Sequence, residues 1–405
     1  MTNLSFEEAR DLWLSLGSPG AAERVSVFEA DGRVLAEDVV APFPLPPFDY
    51  SAMDGYAVSA SGVPDSLELA VEGTSAAGGE LPAFRPGTAC RIFTGAPLPD
   101  GADSVVMQEN VEVLAGGKAV RLAHAPSPGQ NVRRRGEDLA DGTVAIHRGA
   151  RLEPGPLALA AALERATLVC HRRPVVTVLS SGDELRSPGD PPRAGSVIES
   201  NGLFIAATGR RAGAIVHLAP FVRDDLEATT RAVAGALRVS DLVVTVGGVS
   251  VGDRDLVRAA VEAAGVEVLF HRIAIKPGRP VLGGHHPGGA RLLGLPGNPA
   301  SASLTFLLFG VPMVRKLAGE GSPLPATCRA TVVGKAKSVE GRTDFLRGRL
   351  DSTAESAPRF VLAANQASGA VTSFAGADAL AVVPPGRIAV QDGDVLDVIR
   401  IADIA

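Results

Sequence analysis

The segment RLLGLPGNPASASLTF (residues 291–306) changes character twice within a short run. It begins as an apolar strand candidate, crosses a turn rich in glycine and proline, and continues into the apolar helical stretch SLTFLLFGVPMVRKL (303–317). The start of a helix presents free backbone amides at the positive end of its dipole, which suits an oxyanion near Ser301. The segment therefore predicts a strand–turn–helix unit with an anion-binding turn.

Four more apolar runs of strand length precede this segment, and helical patterns separate most of them. Alternating strands and helices predict a mostly parallel sheet with helices on both faces. We therefore expect a central, doubly wound α/β domain over residues 173–319. The four runs are VVTVLS (175–180), AIVHLAP (214–220), DLVVTV (241–246) and VEVLFH (266–271).

Two other regions read as β structure. Residues 44–144 are rich in glycine and proline and contain short alternating runs, which predict a small β domain inserted near the N-terminus. After about Gly319 the helical pattern ends, and five strand patterns predict a C-terminal β-barrel-like domain over 320–405. A chain of 405 residues suits such a multidomain fold.

Two helices are predicted around the inserted domain. The first covers residues 5–16, with Ser5 and Glu8 in capping-box spacing, and the second covers residues 152–168. We expect both to belong to one elongated helical or extended domain, formed by residues 1–43 and 145–172.

Composition narrows the classes of partner. A formal net charge of −6 gives no general attraction to nucleic acid or to an anionic membrane, so an anionic ligand must meet a local cluster of cations. No signal-peptide pattern and no uninterrupted apolar run of about 18 residues is present. We expect a cytoplasmic protein that binds neither nucleic acid nor membrane. The three cysteines and seven histidines lack the spacing of a disulfide framework or a zinc site.

Three turns follow predicted parallel strands: SSGDEL (180–185), VGGVSVGDRD (246–255) and LPGNPASAS (295–303). Parallel strands share a direction, so these turns should converge at one edge of the sheet, where open α/β sheets bind ligands. The glycines of the second turn would let its backbone approach an anion and expose amides, and Ser250 adds a hydroxyl. Any one of these turns taken alone is more often structural than functional.

Charged side chains near these turns also indicate a binding site for an anionic ligand. Lys276 lies in IAIKPGRP (273–280), in a chain where arginine supplies nearly all positive charge. We expect it to bind phosphate or molybdate oxygens rather than to stabilise the fold. A solvated surface lysine is the alternative. Carboxylates beside an anion site favour Mg²⁺ as the bridging cation, although Asp225 and Asp253 could instead cap helices. The carboxylates are Glu184, Asp224, Asp225, Asp253 and Asp255.

A further candidate for a functional site is the segment PLPPFDYSAMDGYAV (44–58), in which prolines stiffen the backbone. The chain has two tyrosines, and both stand here within a few residues of Asp49 and Asp54. The segment is either a domain linker with packed aromatics or part of a site.

Seven motifs, in this order, resemble the molybdopterin molybdenumtransferases, the MoeA family, which includes the enzymatic part of gephyrin. The resemblance spans nearly the whole chain. It implies a homodimer of elongated four-domain subunits that inserts molybdenum from molybdate into adenylylated molybdopterin, with Mg²⁺ and release of AMP. The motifs are PFDYSAMDGYAV, RIFTGAPLPDGADSVVMQE, GQNVRRRGEDL, SSGDEL, TVGGVSVGDRD, IAIKPGRP and GLPGNPASASLTF.

The resemblance also implies residue roles. The catalytic group comprises Asp54, Asp138, Glu184, Asp224, Asp255 and Lys276, with Glu184 and Asp255 as metal ligands. The substrate-binding group comprises Thr94, Arg135, Ser181, Gly182, Gly247, Gly248, Ser250, Gly252, Arg279, Pro296, Gly297, Pro299 and Ser301, with Arg347 and Ser368 added by a looser likeness. Of the run 133–135, at least one arginine should make structural pairs.

The resemblance implies a composite site and leaves alternatives. Asp54 and Asp138 of one copy would join the α/β domain of the other copy in a shared site. The adenylyltransferase that precedes such an enzyme and molybdoenzyme acceptors are expected partners. Arg272 and Arg279 replace lysines common in the family, which changes donor geometry. An adenylyltransferase and a gephyrin-like scaffold remain the rival functions.

Overall fold

The computed structural model describes residues 4–248, 256–352 and 358–404. The chain divides into two compact units. The first unit contains Met1–Glu37, Arg148–Leu157 and Ala166–Ala405. The second, called the inserted unit below, contains Asp38–His147 and Ala158–Arg165.

The first unit contains a six-stranded sheet, called the central sheet. Four neighbouring strands are parallel, and an antiparallel pair completes the sheet. The predicted doubly wound α/β architecture is confirmed. The pairing of Leu282–His285 with its neighbours was not predicted, because its two central glycines carry no strand signal. The strands in spatial order are Ile215–Leu218, Val175–Ser180, Leu242–Val246, Arg291–Leu295, Leu282–His285 and Glu267–His271.

Helices cover both faces of the central sheet. Alternate residues of one strand belong to different cores: Val244 lies in one cluster with Ile205 and Phe306, and Val243 lies in another with Val233 and Val261. Such a strand is apolar throughout because both of its faces are buried. The helices of the first core are Asn201–Arg211, Pro299–Thr305, the π-helical turn Phe306–Gly310 and Val311–Ala318; those of the second are Leu226–Leu237 and Leu256–Ala263.

The N-terminal helix Phe6–Ser15 packs against the first core. The predicted capping box is present, with the Ser5 hydroxyl accepting from the Glu8 amide and the Glu8 carboxylate accepting from the Ser5 amide. Farther along this helix, the buried Trp13 indole donates to the Phe309 carbonyl at 2.9 Å. This hydrogen bond satisfies a carbonyl within the π-helical turn, where the regular helical ladder is interrupted.

The second predicted helix is shorter than expected. It spans Pro154–Ala162, and Thr167–His171 is instead a strand that pairs antiparallel with Ala22–Ser26. Glu164 adopts a left-handed conformation with φ of 57° and turns the chain out of the helix. The prediction of a helix through residue 168 was wrong, because this turn uses a glutamate where glycine would have marked it.

The C-terminal part of the first unit contains a β-barrel, as predicted. Five strands pair in a ring, which is closed by the antiparallel pairing of Thr343–Asp351 with Ala379–Val383. The two-residue strand Ile275–Lys276 adds to this ring in parallel with Thr343–Asp344. The barrel strands in chain order are Cys328–Val333, Thr343–Asp351, Arg359–Leu362, Ala379–Val383 and Val395–Arg400, with short helices Thr372–Ala375 and Ile401–Ile404.

The inserted unit is built on a six-stranded sheet around two small apolar clusters. Two short strand pairs, Val39–Val40 with Val144–Ile146 and Tyr50–Ser51 with Val132–Arg133, complete it. The main strands in spatial order are Ser104–Met107, Gly55–Val58, Thr88–Ile92, Glu68–Ser75, Ala119–Leu122 and Val111–Leu114.

One helical stretch in the described part of the chain, Pro299–Ala318, is long and apolar enough to cross a membrane by composition. Since 89% of it is buried inside the protein, its apolar character is that of a core helix.

We expect Trp13→Phe to lower the free energy of unfolding by about 1–3 kcal/mol, because the Phe309 carbonyl would lose its indole donor in a buried site. Urea unfolding followed by circular dichroism measures this change. Phe28→Ala, at a side chain that is 94% exposed, is the control and should change little. An unchanged midpoint for Trp13→Phe would mean that this hydrogen bond contributes nothing.

Candidate functional site

The three predicted turns lie at one edge of the central sheet. Their strands, Val175–Ser180, Leu242–Val246 and Arg291–Leu295, are immediate parallel neighbours. The turns line a cavity of about 850 Å³, called the edge cavity. The predicted residues in its wall are Ser181, Gly182, Glu184, Asp224, Gly247, Gly248, Pro296, Gly297 and Pro299. Ser250, Gly252, Asp253 and Asp255 lie outside the described residues.

Close backbone packing explains two of these glycines. A Cβ atom on Gly182 would lie 2.6 Å from Glu184 Oε2, and one on Gly247 would lie 2.8 Å from the Ser181 carbonyl oxygen. Both residues also have positive φ. The amides of Gly182 and Gly247 donate to the carbonyls of Val222 and Leu295, so they are not free for an anion. The expectation that the Gly247 amide is exposed was wrong, because the turn uses it to join neighbouring strands.

Two wall residues of the edge cavity were missed in the sequence. Glu199 accepts a hydrogen bond from the Gly202 amide at 2.7 Å, and Asn201 donates to the Gly297 carbonyl at 2.8 Å. Asn201 therefore links the first turn of its helix to the third turn of the sheet edge. The sequence signal that could have identified them is ESNG (199–202), an acid and an amide at the start of a helix.

The acids of the edge cavity are the donor type that Mg²⁺ prefers. Glu184, Asp224 and Glu199 offer hard carboxylate oxygens, and protein-bound Mg²⁺ commonly uses one or two carboxylates together with waters and substrate phosphates. No preformed cluster of three or more metal-ligating side chains occurs among the described residues. The oxygen donors present are of a type compatible with Mg²⁺. Asp225 is a helix cap, accepting from the Ala228 amide at 2.7 Å.

A second cavity, the basic cavity, lies beside the first and has a volume of about 740 Å³. Pro280, Pro296 and Asn298 line both cavities. Asn298 also donates to the Ser368 hydroxyl at 3.2 Å, which ties the helix start to the barrel. The predicted residues in the wall of the basic cavity are Lys276, Arg279, Pro296, Ser301, Arg347 and Ser368; Lys335, Lys337 and Arg342 were missed.

Arg347 is the most buried cation of this cavity. Its side chain is fully buried, its Nη2 donates to the Ala367 carbonyl at a long 3.4 Å, and its Nε has no hydrogen-bond partner. Burial lowers the pKa of Arg347, and the nearby Asp344 carboxylate opposes that shift. A buried donor without a partner suits an anionic ligand that would supply the missing acceptor.

Lys276 has a structural partner. Its ammonium lies 2.9 Å from Asp344 Oδ2 and donates to the Lys337 carbonyl at 3.3 Å. The parallel pairing of Ile275–Lys276 with Thr343–Asp344 places these two residues opposite each other. Burial raises the pKa of Asp344, and Lys276 opposes this rise. This ion pair argues against the expectation that Lys276 only binds ligand, since its charge compensates a buried carboxylate.

The inserted unit holds the remaining predicted residues. Asp54 is exposed and accepts from the Thr94 amide at 2.7 Å and the Thr94 hydroxyl at 2.9 Å, which lowers the pKa of Asp54. Thr94 therefore fixes one carboxylate oxygen. Nearby, the Arg91 guanidinium lies 5.2 Å from the Tyr56 ring centre and 4.8 Å from that of Phe93. Two of the aromatic residues near Asp54 therefore pack against an arginine.

The arginine run of this unit is largely paired. Arg134 forms an ion pair with Asp49 at 2.7 Å, and the Arg135 amide donates to the same carboxylate. Asp49 is therefore structural. The Arg135 side chain donates to the Pro47 carbonyl at 3.2 Å. Arg133 lies 3.3 Å from the Asp138 carboxylate and also pairs with Glu137, in line with the expectation of structural pairs.

Comparisons with known proteins cover nearly the whole chain. Family models described as MoeA N-terminal region (domain I and II), probable molybdopterin binding domain, and MoeA C-terminal region (domain IV) match residues 4–163, 177–316 and 329–401. A molybdopterin molybdenumtransferase of Haemophilus influenzae is 39% identical over 348 residues, 85% of each chain. One of Bacillus subtilis is 31% identical over 400 residues, covering 95% of this chain and 91% of the relative.

A solved structure supports the same likeness. The crystal structure titled molybdopterin biosynthesis moea protein from Pyrococcus horikosii has a TM-score of 0.81 and 31% sequence identity, and 99% of each chain is covered. The likeness therefore extends over both the inserted unit and the first unit.

We expect Lys276→Ala to lower the free energy of unfolding by about 1–3 kcal/mol near neutral pH, because Asp344 would remain buried without its ammonium partner. The loss should shrink as the pH falls through the raised pKa of Asp344, since protonation removes the buried charge. Urea unfolding near neutral pH and at about pH 5 measures both effects.

Lys335→Ala is the matched control for this prediction. Lys335 lines the same cavity but is exposed and forms no ion pair with the described residues, so its loss should leave stability nearly unchanged. Equal stability of Lys276→Ala and wild type at both pH values would contradict the role assigned to the Lys276–Asp344 pair.

Proposed function

The chain belongs to the MoeA family of molybdopterin molybdenumtransferases, and we propose on this basis that it transfers molybdenum from molybdate to adenylylated molybdopterin and releases AMP. The observation that carries this proposal is the pair of adjacent cavities. One has carboxylates and a helix start, the other is lined by cations, and they share Pro280, Pro296 and Asn298. Two different anions could therefore be held side by side.

The basic cavity is the proposed molybdate site. Molybdate is a tetrahedral dianion that offers oxygen acceptors in four directions. Arg347 supplies a buried positive charge in the wall of this cavity, and Ser301 and Ser368 line the same cavity. Arg279 supplies a second positive charge there. Charge-assisted hydrogen bonds of this kind are stronger than neutral ones, which favours an oxyanion over a neutral ligand.

The edge cavity is the proposed site of the phosphate that belongs to the pterin itself. Its volume of about 850 Å³ is within the usual range for small-molecule sites. Glu184 and Asp224 would hold Mg²⁺ there, with Asp255 as a further ligand implied by the resemblance. A magnesium ion in this position would neutralise the charge of that phosphate and polarise its bond to the adenylate group.

The protein's own residues act mainly by binding and orientation. Molybdate and the adenylylated pterin are both anions, so they repel each other unless cations lie between them. Arg347 and Arg279 reduce this repulsion, and Asn298 forms part of the wall where the two cavities meet. No side-chain nucleophile is assigned. Exchange of molybdate oxygens for the pterin sulfurs is chemistry of the substrates themselves.

The direct test supplies purified protein with adenylylated molybdopterin, Mg²⁺ and molybdate. AMP release should depend on molybdate, and the product should reconstitute an apo-molybdoenzyme. AMP transfer from ATP to molybdopterin without molybdate would indicate an adenylyltransferase instead. Absence of any turnover, together with binding of a membrane-receptor segment, would indicate a scaffold.

The proposed assembly is a cytoplasmic homodimer with shared sites, in which one copy supplies Asp54 and Asp138 and the other supplies Glu184 and Lys276. The family resemblance supports this arrangement, as do the prolines before Asp54, which restrict the path of the chain. The adenylyltransferase that supplies the substrate and molybdoenzymes that accept the product are the proposed partners.

Co-expression of Asp138→Asn with Glu184→Gln tests the shared site. Each variant alone should be nearly inactive, whereas a mixed dimer would contain one doubly altered site and one intact site. With random pairing, activity should recover to about a quarter of wild type, because about half the dimers are mixed and each has one working site. Two affinity tags confirm mixing. If purified mixed dimers stay inactive, each site belongs to a single chain.

A further inference from the structure

The basic cavity carries more positive charge than a molybdate ion requires. Three of the five lysines of the chain, Lys276, Lys335 and Lys337, are in its wall. Arg279, Arg342 and Arg347 add three more cations. Among the described residues of the wall, Asp344 is the single acid, so six cations and one carboxylate give a net charge of +5.

Three of these six cations have an assigned partner, and the other three do not. Lys276 pairs with Asp344, and the two charges of molybdate would be met by Arg347 and Arg279. Lys335, Lys337 and Arg342 form no ion pair and no side-chain hydrogen bond with the residues that the structure describes. Like charges gathered in one wall repel each other, so an additional anion would lower their energy.

The volume of the cavity leads to the same conclusion. A space of about 740 Å³ is the size of a pocket for a whole small molecule, and an oxyanion of five atoms would fill a small part of it. The cavity also has a deep and a shallow part. The Arg347 side chain is fully buried, whereas Lys335 and Lys337 are exposed to solvent.

The loop that carries the three cations has a fixed backbone. Its short strand Ala336–Lys337 pairs antiparallel with Ala389–Val390. The Gly334 amide donates to the Asp392 carboxylate at 2.8 Å, and the Gly341 amide donates to the Pro385 carbonyl at 2.8 Å. The segment around residues 385–392 therefore holds the backbone of this loop in place. Exposed lysines often serve only solubility, but such lysines are normally dispersed and need no fixed loop.

We propose that Lys335, Lys337 and Arg342 form a second anion position in the outer part of the basic cavity, which binds the phosphate of the adenylate group. The inner position, at Arg347 with Ser301 and Ser368, holds molybdate at the same time. This inference rests on the proposed function for the identity of the two anions. It makes residues 334–342, called the basic loop, a substrate-orienting element that brings the nucleotide phosphate next to the bound oxyanion.

The experiment measures binding of AMP and of molybdate to the full-length protein, separately and together, by equilibrium dialysis. The test variant is Lys335→Gln/Lys337→Gln/Arg342→Gln. The control variant, Lys118→Gln/Arg349→Gln/Arg359→Gln, removes three positive charges from exposed residues outside the cavity wall. Both variants thus have the same net charge, which separates a local site from general electrostatics. Thermal unfolding verifies that both remain folded.

Wild type should bind AMP and molybdate together. The test variant should raise the Kd for AMP by about tenfold or more, since several charge-assisted contacts are lost, with the Kd for molybdate changed by less than about twofold. The control variant should match wild type. Arg347→Met should show the reverse pattern, with weaker molybdate binding and unchanged AMP binding.

Three results would overturn the inference: wild type does not bind AMP, AMP and molybdate exclude each other, or the test variant binds AMP as tightly as the control. Failure of wild type to bind molybdate is a separate result that would count against the proposed function. The AMP measurements would still decide whether the basic loop is an anion site.

Discussion

The pairing of Ile275–Lys276 with Thr343–Asp344 is the contact on which the basic cavity depends. It adds a short strand from the α/β part of the first unit to the sheet of the barrel. The cavity wall then combines residues near 276–301 with residues near 333–368. The cations of the two stretches thus lie in one wall, although like charges repel each other.

The same contact places charge where solvent cannot reach it. Asp344 is almost completely buried, and a buried ion pair often costs about as much in lost hydration as it gains in attraction. Lys276 compensates the carboxylate without leaving the cavity wall, while Arg347 remains buried with an unpaired Nε. Such an arrangement is poorly explained by stability alone. A ligand that accepts hydrogen bonds from Arg347 would recover part of the hydration that burial removed.

The sequence was a good guide to features that depend on neighbouring residues. The apolar runs predicted the parallel strands, and strand direction then predicted that their turns would meet. It failed where distant pairing or an unusual backbone decides the outcome. The position of Lys335 in the cavity wall depends on the barrel, and the hydrogen bond of the Gly247 amide depends on the neighbouring strand. The helix end at Ala162 depends on a left-handed Glu164, which has no compositional signal.

The wall shared by the two cavities has a consequence for divergence within the family. A substitution at Pro296 or Asn298 changes the boundary of both cavities at once, so selection on one substrate would act on the fit of the other. Arg347 and the barrel loops border the basic cavity without lining the edge cavity. If the basic cavity holds the oxyanion as proposed, its barrel-side residues can be exchanged without altering the wall of the edge cavity.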